Sequence, residues 1–255
     1  MLVDRVELER QVQEVYRAVA RDPLAARHFE TGRGLALRLG YPESLLASVP
    51  AAAVASFAGV GYHLDLAALR PGDRVLDLGS GSGTDAFCAG TSVGDTGRVV
   101  GVDFTDAQVA TATSLGERHG IGNVRFVEAS IDDLPFDDAS FDVIISNGVI
   151  NLSPVKHLVF AEAARVLRPD GRLAISDIVS STSLKEATRR NTELWAACIA
   201  GAIPTSAYLD ELVAARFTIT AKRRNAYRFL SDLAREASQT YGVESTTVAA
   251  TRETS

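Results

Sequence analysis

The chain has 255 residues, 46% of them hydrophobic and 23% charged, with 20 Gly, 8 Pro and a formal net charge of −6. That length and balance suit one large folded domain, or one domain with an appendage, and exclude disordered, collagenous and coiled-coil classes. An acidic chain repels phosphate backbones and anionic lipid heads, so neither nucleic acid nor membrane is expected as a partner.

From Val3 to Ala20 the apolar residues Val6, Val12, Val15, Tyr16 and Val19 recur between charges and predict an amphipathic helix. The first ten residues carry Asp4, Arg5, Glu7, Glu9 and Arg10 and lack the apolar stretch of a secretory signal. Ser44 to Leu64 is the longest run free of Asp, Glu, Lys and Arg, but Pro50, Gly59, Gly61 and His63 interrupt it. It reads as short helices over Pro42 to Ser48 and Pro50 to Phe57, since Pro favours a first helical turn, followed by a glycine-rich turn. Residues 1–65 are therefore expected to form an N-terminal helical cap, and residues 66–255 the main domain.

After Pro71-Gly72 short β-rich runs alternate with helical patterns. Strands are expected at Arg74 to Leu78, Arg98 to Val102, Val124 to Glu128, Asp142 to Ser146 and Arg172 to Ile178. Helices are expected at Asp85 to Thr91, Asp106 to His119 and Pro154 to Leu167. Buried-looking strands joined by helices imply parallel pairing through right-handed crossovers, hence an α/β, doubly wound, Rossmann-like sheet. Helices near Lys185 to Ala202, Thr205 to Ala215 and Arg228 to Thr240 follow. Late strands at Phe217 to Lys222 and Ser245 to Ala250 bring the count to about seven, with the last ones antiparallel.

The first strand runs into Asp77-Leu78-Gly79-Ser80-Gly81-Ser82-Gly83, a GxGxG turn leading into a helix. Such a turn lets the main chain approach a ligand, and the helix N-terminus offers unpaired N–H groups to a carboxylate. Asp103, at the end of the second strand, can take both hydroxyls of a ribose. After the third strand, Ile131 can cover a purine face and Asp132 can accept from an exocyclic amine; a solvated loop with capping residues is the other reading of Asp132 and Asp133. A nicotinamide cofactor competes, but its fingerprint is GxGxxG, and a carboxylate at Asp77 would repel a pyrophosphate while attracting an amino-acid ammonium.

Over Leu66 to Ile178 the sequence resembles the class I S-adenosylmethionine-dependent methyltransferases, also through Asp138 to Asn147 and Ala164 to Leu173. The resemblance implies that Asp77, Gly79, Gly81 and Asp85 surround the methionyl end, Asp103 the ribose, Ile131 and Asp132 the adenine, and that Asn147 lies beside the sulfonium. Within that superfamily the chain is more similar to the arsenite methyltransferases, through Phe57 to Gly61, Ile145 to Pro154 and Trp195 to Ala202.

The resemblance breaks at the thiolates that a soft metalloid requires. Val60 and Gly148 stand where that family has cysteines, leaving Cys198, while Cys88 matches none of them. The two cysteines of the chain have no paired spacing, which excludes a disulfide framework and a CxxC metal site and points to a reduced, cytoplasmic setting. Cys198 also fits a buried helix face with Leu194, Trp195, Ile199 and Ala202.

The expected function is methyl transfer from S-adenosylmethionine, giving S-adenosylhomocysteine, to a small molecule under the cap, by a monomer or homodimer. Cys198 and His63 are the candidate catalytic residues, His63 as a base over the sulfonium. Tyr62, Asn151 and Trp195, with His63, are expected to line the acceptor pocket. Arsenite methylation, a binding protein without catalysis and a nicotinamide-linked reductase are the alternatives.

Overall fold

The computed structural model describes residue 14 and residues 30–191, 194–195 and 198–254. Apart from Glu14, the amphipathic helix expected over Val3 to Ala20 lies outside the described residues, as does His28. From residue 30 onward three short helices, α1 (Arg33–Leu39), α2 (Glu43–Ala47) and α3 (Ala51–Ala55), and a single turn, α4 (Leu64–Ala67), precede the first strand. Pro42 and Pro50 sit at the N-caps of α2 and α3 with φ of −60° and −54°, the values the proline ring imposes.

The remaining elements are β1 (Arg74–Leu78), α5 (Thr84–Val93), β2 (Arg98–Asp103), α6 (Asp106–Arg118), β3 (Val124–Glu128), β4 (Phe141–Asn147), α7 (Lys156–Val166), β5 (Leu167–Val179), α8 (Glu186–Arg189), α9 (Thr205–Ala214), β6 (Phe217–Arg224), α10 (Asp232–Tyr241) and β7 (Glu244–Arg252). The strands form one seven-stranded sheet in the order β3-β2-β1-β4-β5-β7-β6. Strands β1 to β5 pair in parallel, and β7 inserts antiparallel between β5 and β6. The doubly wound sheet with antiparallel late strands is thus the one expected.

The central strands are buried on both faces, which is why they read as continuous apolar runs. One face, with Val75, Val99, Val143 and Ile145, packs against Phe87 and Ala89 of α5 and against Leu35, Leu46 and Val54 of the cap helices. The other, with Leu76, Val102 and Ile144, packs against Phe160 and Val166 of α7 and Leu212 of α9. The cap helices therefore share the core of the sheet, where their apolar faces are buried.

The helix expected over Lys185 to Ala202 lies partly outside the described residues. Among the described residues this stretch shows α8 and helical backbone at Leu194-Trp195, and Cys198 adopts φ +58°, a left-handed conformation that no helix continues through. The expected burial nonetheless holds, since Leu194, Trp195, Cys198, Ile199 and Ala202 share a core cluster. Periodicity reported which residues face inward, and tertiary contacts decided the backbone.

Beneath the C-terminal ends of β4 and β5 lies a buried ionic cluster. Asp177 on β5 accepts hydrogen bonds from the Asn151 backbone N–H at 2.7 Å, the Tyr208 hydroxyl at 3.0 Å and the Ile178 N–H at 2.9 Å. Burial nevertheless pushes its carboxyl up to about 6, against the opposing pull of these donors and of Lys156. A carboxyl whose pKa is raised on folding contributes stability below its unfolded value near 4 and loses that contribution as pH rises to about 6. In urea denaturation the stability of the wild type relative to Asp177→Asn should therefore fall by about 2–3 kcal/mol between pH 4 and pH 7. A difference independent of pH would show that the carboxyl titrates normally.

Candidate active site

The strand order reverses between β1 and β4, and in open α/β sheets a crevice forms outside the strand ends at such a point. A cavity of about 320 Å³ occupies it. All eight residues assigned to the cofactor from sequence line this cavity: Asp77, Gly79, Gly81, Asp85, Asp103, Ile131, Asp132 and Asn147. The glycine turn joins β1 to α5 along one side. A Cβ at Gly79 would run into the Val149 side chain, whereas one at Gly81 would meet no atom within 4 Å. The chain at Gly81 thus leaves room for a ligand beside the N-terminus of α5.

Four carboxylates line the cavity, and no Lys, Arg or His does so among the described residues. Asp77 is buried, and its Oδ2 has no hydrogen-bond partner among the described residues. Burial, reinforced by the charges of Asp85 and Asp103, holds its carboxyl well above the usual range, opposed by the Ala86 N–H. An unpaired buried carboxylate of this kind is costly unless a cation meets it. Asp103 accepts from the Gly81 N–H at 3.0 Å and the Thr105 N–H at 2.9 Å, and burial raises its carboxyl despite both bonds. Each of its oxygens keeps a lone-pair site for a further donor. An orphaned acid, room at Gly81 and a cavity of negative charge fit a cationic amino-acid nucleoside such as S-adenosylmethionine.

Asn147, expected beside the sulfonium, lines the cavity but is also heavily engaged. Its Oδ1 accepts from the backbone N–H of Val60 at 2.7 Å and of Gly61 at 3.3 Å. Its Nδ2 lies at 3.0 Å from the Gly61 carbonyl, the Asp85 Oδ2 and the Tyr41 hydroxyl. Tyr41 in turn donates to Asp85 Oδ1, and its hydroxyl is fully buried, which with the Asp85 charge raises its pKa well above the usual value. Sequence reasoning missed Tyr41 and the lining residues Phe104 and Gln108, whose Oε1 accepts from the Ser82 hydroxyl at 2.6 Å. The position of Phe104 directly after Asp103 was the available signal.

The residues expected around the acceptor are placed differently. None of Tyr62, His63, Asn151, Trp195 and Cys198 lines the cavity. The Tyr62 ring packs 4.6 Å from that of Tyr41. His63 is fully buried, with neither ring nitrogen hydrogen-bonded among the described residues, and burial lowers its pKa despite Asp85 and Asp65. A base over the sulfonium is therefore not what this geometry offers. The preceding turn is pinned by Asn147 on one side and by Ser245, whose hydroxyl donates to the Val60 carbonyl at 2.6 Å, on the other, and His63 is carried inward. The Trp195 Nε1 donates to the Arg189 carbonyl at 2.7 Å, and Asn151 donates from Nδ2 to the Cys198 carbonyl.

The three positions matched to thiolates by resemblance do converge. A Cβ at Gly148 would lie 3.2 Å from Val60 Cγ1, and Cys198 Sγ lies 3.9 Å from the Gly148 carbonyl oxygen. The space expected where two cysteines are missing is occupied by the buried Val60 side chain itself.

This fold is that of the class I methyltransferases. A family profile described as "Methyltransferase domain" matches residues 69–233, and the chain belongs to that family, whose methyl donor is S-adenosylmethionine. An arsenite methyltransferase from Halobacterium salinarum is 39% identical over 198 residues, covering 76% of this chain and 50% of the relative. The chain thus spans about half the length of that curated relative. An arsenic(III) S-adenosylmethionine methyltransferase from Chlamydomonas reinhardtii superposes with a TM-score of 0.65 at 29% identity, over 88% of this chain and 75% of that one. A geranyl diphosphate C-methyltransferase from Streptomyces coelicolor shares the fold with a TM-score of 0.67 at 17% identity, covering 95% and 98% of the two chains.

Two substitutions test the cavity. Asp103→Ala removes a charged acceptor and frees the Gly81 N–H, so S-adenosylhomocysteine should bind about 1.5–3 kcal/mol more weakly by calorimetry. Gly81→Val places a branched side chain in the open space of the turn, at φ +52°, so binding should be lost while circular dichroism still reports the fold. Full binding in either folded variant would remove that residue from the site.

Proposed function

We propose that the chain transfers a methyl group from S-adenosylmethionine to a small organic acceptor other than arsenite, held between the cap (residues 1–65) and the catalytic domain (residues 66–255). When bound, S-adenosylmethionine supplies an already electrophilic methyl group. Asp77 meets the ammonium, the α5 N-terminus beside Gly81 the carboxylate, Asp103 the ribose, and Ile131 with Asp132 the adenine. Asp85 and Asn147 fix the wall at the sulfonium end. Positioning the acceptor in line and excluding water supply most of the rate, and no dedicated base is required.

The observation that carries the choice of acceptor is the convergence of Val60, Gly148 and Cys198 with only one thiol among them. A single thiolate leaves arsenic(III) open to exchange with free thiols, whereas several convergent thiolates retain it. The wall near this point is apolar, with Phe57, Val149, Leu152 and Pro154, which favours an acceptor with an apolar body. Both cysteines are free and buried, in keeping with a cytoplasmic enzyme, which we propose acts as a monomer or homodimer. Among the described residues no helix is long and apolar enough to cross a membrane.

Methyl transfer from labelled S-adenosylmethionine to arsenite tests this reading. The wild type should show no transfer, and Val60→Cys with Gly148→Cys should create it, although the cysteine at 148 must accept φ +75°. Transfer to arsenite by the wild type that survives Cys198→Ser would overturn both the coordination argument and the proposed acceptor class.

A further inference from the structure

The buried cluster around Asp177 has no place in the chemistry above, yet it grips a wall of the cavity. The Lys156 ammonium, almost wholly buried, donates to the Asn151 carbonyl at 2.8 Å and the Ser153 carbonyl at 2.7 Å. Asp177 takes the Asn151 N–H at 2.7 Å. Asn151 is thus held by both its backbone groups, at the centre of the 3₁₀ turn Ile150–Leu152. Two buried ions are a costly way to fill space, because an apolar pair would pack there without desolvation loss. What the ions do that an apolar pair cannot is tie the Asn151 and Ser153 backbone atoms together through directed bonds, so that the turn responds as one body.

The turn faces two ways. Toward the cavity it presents Val149, which fills the position a Cβ at Gly79 would need, so the glycine turn and this wall cannot move independently. Away from the cavity Asn151 donates from Nδ2 to the Cys198 carbonyl, and its own carbonyl lies where a Cβ of Gly201 would be. That same Cβ would come within 2.7 Å of Trp195 Cζ3. Gly79 thus abuts Val149, the turn links Val149 to Asn151, and Asn151 and Trp195 both crowd Gly201.

We propose that Asn151, clamped by Lys156 and Asp177, is a positioning residue that couples the methyl-donor cavity to the segment carrying Trp195 and Cys198. This rests on the reading that the cavity takes S-adenosylmethionine. Filling the cavity loads Val149, the clamp converts that load into a shift of the whole turn, and the segment beyond it moves with Asn151. The acceptor side is thereby set in register only when the donor is present.

Trp195 is the protein's single tryptophan and does not line the cavity, so its emission reads the far end of the path. In the full chain, saturation with S-adenosylhomocysteine should change Trp195 emission. In Lys156→Met and Asp177→Asn that change should shrink at least about threefold, while the calorimetric affinity stays within about threefold, since coupling and binding are separable free energies. Tyr208→Phe, which removes one bond to Asp177, should give an intermediate response and decides the matter if the other variants do not fold. A wild type that does not bind S-adenosylhomocysteine overturns the functional reading and this inference with it. Binding with silent Trp195 emission in the wild type, or an undiminished change in folded variants, overturns the clamp alone.

Discussion

The amide of Asn147 at the end of β4 is the point on which the arrangement of the site depends. It joins three pieces of chain that sequence keeps apart: the cap loop at Val60 and Gly61, the cap residue Tyr41, and Asp85 on the helix after the glycine turn. An amide suits this place because it offers an acceptor and donors on one planar group, so a backbone N–H, a backbone carbonyl and a carboxylate can be bound together. An aspartate there would face Asp85 and the Gly61 carbonyl with no donor. The cap is thereby fixed over the cavity by hydrogen bonds in a place of low dielectric, where such bonds are strong and their loss is costly.

A second hydrogen-bonded chain reaches the same loop from the antiparallel edge. The Ser176 and Thr247 hydroxyls lie 2.7 Å apart, Thr247 donates to Asn225 Oδ1, Asn225 donates to Ser245, and Ser245 donates to the Val60 carbonyl. This accounts for Ser245 and Thr247 being buried within β7, where apolar residues are the rule. Gly61 packs so closely on Ser176 and Asn225 that a side chain there would displace them. The late strands therefore complete the sheet and anchor the cap at the same time.

The sheet and the residues that line the cavity were legible in the sequence because both rest on local signals. β1 and β3 match the expected boundaries, since runs such as Arg74 to Leu78 are apolar and end at a glycine turn. Asp77, Asp103 and Asp132 lie at strand ends or in the loops that follow, and the topology carries any residue so placed to the crevice. The acceptor side was not legible, because its geometry comes from contacts distant in sequence. His63 and Tyr62 follow a glycine turn and could face either way; only the grip of Asn147 and Ser245 on Val60 decides it. Asn151 was read as an acceptor contact because it is polar and close to the cavity in sequence, but its backbone is held by Lys156 and Asp177. One sign of that cluster was present, since Asp177 interrupts the apolar run of β5, and a lone acid in a buried strand needs partners.

Val60 and Asn151 are held in the same manner. Each has its N–H taken by a side chain of the sheet, Asn147 or Asp177, and its carbonyl by another side chain, Ser245 or Lys156. These two segments are therefore positioned through backbone groups, by residues other than those whose side chains meet between them. The side chains at 60 and 148 carry no part of that load. A scaffold built in this way lets them change from donor to inert without moving the segments, because the hydrogen bonds that set the geometry do not pass through them. The hydrogen bonds at Val60 and Asn151 would therefore survive a change of side chain at position 60. The residues that fix these segments are thus different from those whose side chains meet between them, and the acidic residues of the cavity lie on the parallel half of the sheet.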